Sequence, residues 1–120
     1  MRPDKSSMQR DPRAWLWDIQ QASERAMLFL EPHDMASYQA NDLVRAALER
    51  QFEIIGEAVS QLAKHAPEIA AQVPHWREAI GFRNVLIHGY ATIDDARVWQ
   101  IAKVNLPALL EAVNRLIGRP

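Results

Sequence analysis

The stretch "RNVLIHGY", residues 83–90, gathers three side chains that could do chemistry together: Arg83, His88 and Tyr90. A planar guanidinium meets phosphate oxygens two at a time. An imidazole titrates near neutrality and serves as general base or acid. Each residue also has an ordinary explanation: a solvated arginine in an ion pair, a histidine facing a helix dipole, a tyrosine lidding the core. Taken together, at this spacing, they describe a phosphate site at the end of a helix.

Geometry sharpens the point. At 100° per residue Arg83 and Tyr90 share a face, whereas His88 lies about 140° from Arg83. Gly89 sits where a helix-stopping glycine belongs. A helix ending at His88 lets the imidazole project from the last turn and swing towards Arg83, with Tyr90 folding back from the following loop. The run Val85, Leu86, Ile87 between them is expected to bury in a helical core.

These residues need helices to position them. "DPRAWLWDIQQASERAMLFLEP" has Asp11 as N-cap, Pro12 at the first helical position and Pro32 as a stop. Its apolar stripe is Trp15, Ile19, Ala22, Ala26 and Phe29/Leu30. A second helix runs from the cap Asn41 to Pro67, with Val44, Leu48, Phe52, Ile55, Val59 and Leu62 inward and Glu49, Arg50, Glu53 and Glu57 mostly off the stripe. Gly56 inside it costs about 1 kcal/mol against alanine, and is expected to admit a close neighbouring helix. "PEIAAQ" is at most a short helix. The helix carrying the motif follows Pro74, with Trp76, Ile80, Val85 and Ile87 apolar. A last helix opens on a Thr92–Asp95 capping-box pattern and should kink or break at Pro107.

No strand alternation or hairpin turn appears. The fold class is all-α: an antiparallel bundle of four to five helices. Residues 1–10 read as a disordered tail and 11–120 as one helical domain.

Composition narrows the function. Lys+Arg 14 against Asp+Glu 15 gives a net charge of −1, with no footprint for general nucleic-acid binding. Any such role must rest on a local cluster. The absence of cysteine excludes disulfides and thiolate metal sites. With no apolar run near the ~18 residues of a membrane span and no signal-like start, a cytoplasmic protein is expected.

The pattern Arg-x4-His-x-Tyr in "FRNVLIHGY" resembles the signature of the HEPN superfamily, and within it the HepT-like toxin branch of MNT–HepT toxin–antitoxin systems. "IIGEAVSQL" (54–62), "VPHWREAIGFRNVLIHGYATID" (73–94) and "VWQIAKVNLPALL" (98–110) look like the same family. The resemblance implies a dimeric helical bundle with metal-independent endoribonuclease activity on RNA and no cofactor. It makes Arg83 and His88 catalytic, Asn84 site-shaping, and Tyr90 the position that an MNT-type nucleotidyltransferase antitoxin modifies with AMP. The alternative is a non-catalytic HEPN module binding nucleotide or a partner protein, or a plain helical interaction protein.

The remaining candidates are weaker. Trp15, Trp76 and Trp99 fit core stripes better than base stacking, while Trp17 is off its stripe and suits a partner. His33, His65 and His75 lack metal-ligand spacing. Asp94 and Asp95 are explained by helix capping. Arg77, Arg97 and Lys103 flank the motif, as RNA contacts or as solvated surface.

Overall fold

A computed structural model describes residues 10–88 and 93–118. Its elements are α1 (Pro12–Leu30), α2 (Met35–Gln39), α3 (Asp42–His65), α4 (Pro67–Ala70), α5 (Trp76–His88), α6 (Asp95–Gln100), a π-helical turn (Ile101–Asn105) and α7 (Leu106–Ile117). Among the described residues there is no strand, and no helix is long and apolar enough to cross a membrane. The fold is all-α, as the apolar spacing requires.

Local chemistry sets the helix ends. The Asp11 carboxylate accepts from the Arg13 amide at the start of α1, and Asn41 accepts from the Val44 amide at the start of α3. Both satisfy amides that have no partner within the helix. The two helices run antiparallel: Trp15, in the first turn of α1, stacks on His65, the last residue of α3, at 5.2 Å. Leu16, Ile19, Ala26, Leu48, Ile55, Val59 and Leu62 are fully buried between and around them. Gln20 in α1 reaches Asn114 in α7 through a 2.7 Å hydrogen bond.

Three features differ from the sequence reading. A short helix, α2, stands in what reads as a connection. Asp34 caps it through the Ser37 amide, and the Ser37 hydroxyl accepts from the Asp34 amide in return. It buries Tyr38 completely, 5.4 Å from Trp99. α6 is capped by Asp94, whose carboxylate accepts from the Ala96 and Arg97 amides, as the capping reading of Asp94 has it; Thr92 lies outside the described residues. Pro107 acts through the turn before it. Lacking an N–H and crowding the preceding turn, it sits just after the π-helical stretch, where the Leu106 amide bonds Ile101 five residues back.

The third difference concerns the motif helix. Of the run Val85–Ile87, only Leu86 is buried, while Val85 is 50% and Ile87 47% exposed. α5 packs chiefly against α3 alone. With one neighbour, a helix has room for one of three consecutive side chains, because each points 100° from the last. The other two face outward beside the chemistry.

Candidate active site

Gly56 seats the motif helix. A Cβ there would lie 2.4 Å from the Arg83 Cβ and 2.9 Å from the Ala79 carbonyl oxygen, distances that any other residue forbids. The close approach expected of this glycine is therefore met, and its object is Arg83. From that root the arginine side chain reaches Glu57, the next residue of α3, with Nη2 2.9 Å from Oε1. Nη1 donates to the Asn84 Oδ1 at 3.2 Å. Nε is buried with no acceptor among the described residues.

Arg83 lines a groove of about 290 Å³ between α3, α5 and the start of α1. Glu57, Arg50, Glu53 and Ile87 form its walls together with Arg10, Asp18 and Trp15. Its three arginines each have a carboxylate partner: Arg10 with Asp18 at 3.1 Å, Arg50 with Glu53 at 3.3 Å, Arg83 with Glu57. The near-zero charge of the whole chain is thus repeated locally.

The structure brings Arg83 and Asn84 together. His88 is the last residue of α5 and exposed; the groove wall at that end of the helix is Ile87, one residue earlier. Tyr90 and Gly89 lie outside the described residues. Glu57 is the residue that sequence reasoning placed merely off the stripe. Its adjacency to a glycine inside a long helix was the available signal.

The other candidates take ordinary places. Arg77 lies over Trp76 and Lys103 over Trp99, at 4.5 and 5.3 Å from the ring centres. Trp17 is 54% exposed on α1. His33 pairs with Ser37, and His75 lies 3.9 Å from Glu78. Among the described residues no group of three histidine or acidic side chains is arranged to hold a metal.

Comparison with known proteins places this geometry in a family. The family described as Ribonuclease HepT-like matches residues 19–116, which take in most of α1 and everything from α2 to the end of α7 but its last residue. "Putative RNase MJ1380" of Methanocaldococcus jannaschii is 36% identical over 104 residues, 87% of this chain and 94% of that protein. "Putative RNase MJ0125" of the same organism is 32% identical over 108 residues, 90% of this chain and 92% of its own. "Probable ribonuclease HepT" of Thermococcus cleftensis is 29% identical over 102 residues, 85% of this chain and 92% of its own. No solved structure matches. On the span of the family match and the identity of these relatives, the chain belongs to the HepT-like ribonuclease family.

Proposed function

We propose that this protein is a metal-independent endoribonuclease in which Arg83 and His88 carry the chemistry and Asn84 shapes the site. One observation carries the reading: in a chain of a ribonuclease family, the motif arginine is seated by Gly56 and held in a groove by Glu57 and Asn84. In such cleavage the 2′-OH of RNA attacks the adjacent phosphorus and the 5′-oxygen leaves. The step needs a base at the nucleophile, an acid at the leaving group and a cation beside the phosphorane. Arg83 supplies the cation. His88 supplies the base or the acid.

A single histidine does not serve both ends of an in-line displacement. Two copies of the chain, related by a two-fold axis, bring two histidines and two arginines to one cleft. The outward-facing Val85 and Ile87, flanking the motif residues, support a second copy at this face. The active form in this reading is a homodimer.

The cellular role that follows is the toxin of a toxin–antitoxin pair. Its partner is an MNT-type nucleotidyltransferase that transfers AMP to the Tyr90 phenol. An adenylate there puts a bulky anion beside the guanidinium that must receive the RNA phosphate, and silences cleavage. Tyr90→Phe keeps the ring, removes the acceptor oxygen and escapes silencing; intact-mass spectrometry after co-expression with such a partner reads it directly. An adduct on another residue would refute the assignment.

Incubation of the purified protein with total RNA in EDTA, followed by mapping of new ends, tests the activity. Mixing Arg83→Ala and His88→Ala chains tests the shared cleft. A monomer that still cuts RNA would contradict the composite site, and nucleotide binding without any cleavage would favour a non-catalytic module.

A further inference from the structure

The grip on Arg83 comes largely from outside its own motif. Of the three arginine–carboxylate pairs in the groove, Arg10–Asp18 and Arg50–Glu53 are the longer, at 3.1 and 3.3 Å, and their arginine side chains are 48% and 67% exposed. Arg50–Glu53 also lies within a single helix. Exposed pairs of this kind hold little. Arg83–Glu57 is different. It joins α3 to α5, spans 2.9 Å, and leaves the arginine 27% exposed.

The side chain is fixed at both ends. Gly56 lets the Arg83 Cβ press against the α3 backbone, and Glu57, one residue on, takes the guanidinium tip. In this pose Nε is buried without an acceptor among the described residues. An orphaned buried donor is costly, so a free arginine would turn to another rotamer. Something must hold it, and the Glu57 carboxylate is the charged group that does. Asn84 takes one N–H of Nη1, the Glu57 carboxylate lies 2.9 Å from Nη2 as an ion pair, and the Nε donor is buried. The terminal nitrogens keep N–H groups that a phosphate can accept.

We propose that Glu57 is a positioning residue for Arg83, locking the guanidinium in the pose that receives the RNA phosphate during cleavage. The inference rests on the assignment of Arg83 to that reaction. Glu57 acts only through Arg83 and touches no reacting atom. Its removal should therefore lower kcat and not weaken RNA binding, since the groove loses a negative charge.

The test uses the full chain and a defined RNA, with kcat and KM measured for Glu57→Ala, Glu57→Gln, Arg83→Ala and Arg83→Lys, and for Glu57→Ala in the Arg83→Lys background. Glu57→Ala should lose about 10- to 100-fold in kcat, the scale of a small misplacement, with KM unchanged or lower. Glu57→Gln, which keeps the size of the side chain and loses its charge, should recover only part of it. On top of Arg83→Lys, Glu57→Ala should add little, because the group it positions is gone. Glu57 is a surface residue of a long helix, so melting should be unchanged. The Arg83 Nε–H nuclear magnetic resonance signal gives a readout independent of activity: displaced in Glu57→Ala, and less so in Glu57→Gln. Wild-type or faster cleavage by Glu57→Ala, its full loss repeated on top of Arg83→Lys, or an unmoved Nε–H signal would overturn the proposal. If Arg83→Ala cleaves like wild type, the assignment of Arg83 falls and this inference with it. If only the Arg83 variants are impaired, the role of Glu57 alone is refuted.

Discussion

The α1–α3 pair and the α5 helix are both amphipathic by sequence, yet they are put to different uses. α1 and α3 each bury eight residues, with Leu16, Ile19, Leu48, Val59 and Leu62 at 1% exposure or less. α5 buries one, Leu86, and turns Val85 and Ile87 to the outside beside Arg83 and His88. The first pair is where folding free energy accumulates, at about 25 cal/mol per Å² of apolar surface removed from water. The second is an arm laid across that platform at Gly56. Substitutions in the platform should be read in stability, and substitutions in the arm in chemistry.

The largest expected effect lies in the platform. Leu48→Ala or Leu62→Ala leaves a cavity in a fully buried site and should cost about 2–5 kcal/mol in urea unfolding. A loss below about 1 kcal/mol would dissolve the distinction between the two regions.

Gly56→Ala strikes the point where they meet. Its methyl would collide with the Arg83 Cβ and the Ala79 carbonyl oxygen, so α5 must lift. Overpacking of this kind costs about 1–3 kcal/mol, more than the ~1 kcal/mol that alanine returns in helix propensity. Cleavage should fall with it, because Arg83 moves. A stabilised, fully active Gly56→Ala protein would show that the seat is loose.

Tyr38 sharpens the comparison from the platform's edge. Burial, with lesser contributions from Asp95 and Glu49, pushes its phenol well above the ordinary value near 10. The unfolded chain ionises this phenol near pH 10 and the folded chain does so only higher. The folded state then holds the extra proton, and stability declines as pH rises above about 10. Tyr38→Phe should remove this alkaline decline. Near neutrality it should change stability by no more than about 1 kcal/mol, because the buried hydroxyl has no hydrogen-bond partner to lose among the described residues. Denaturation curves at pH 7 and above pH 10 decide it.

The smallest effect on folding belongs to the arm. Val85→Ser and Ile87→Ser should change the stability of the dilute, monomeric chain by no more than about 0.5 kcal/mol. The same changes should lower the dimer fraction in light scattering. A large loss of monomer stability would return these residues to the core.

Much of this division was legible in the sequence, and the illegible parts share a cause. The caps Asp11 and Asn41, the close approach at Gly56 and the disturbance before Pro107 follow from local rules of backbone and side chain. Such rules act within a few residues, so the chain states them directly. The exposure of Val85 and Ile87 depends on how many neighbours α5 has, which periodicity does not encode. The pairing of Glu57 with Arg83 joins residues 26 positions apart, and the stripe pattern shows only that Glu57 leaves the core. The short helix around Tyr38 went unread although Asp34 and Ser37 form a capping pair, because five residues carry no period.

The central claim is that α5 carries RNA-cleaving chemistry on side chains, Arg83 and His88, that the fold itself does not need. The most direct measurement compares wild type, Arg83→Ala and His88→Ala on one RNA in EDTA, with melting recorded for each. The account predicts new RNA ends from wild type, a loss of at least ~10²-fold in each variant, and melting curves that nearly coincide. Cleavage by either variant at the wild-type rate, or no cleavage by wild type, would contradict it.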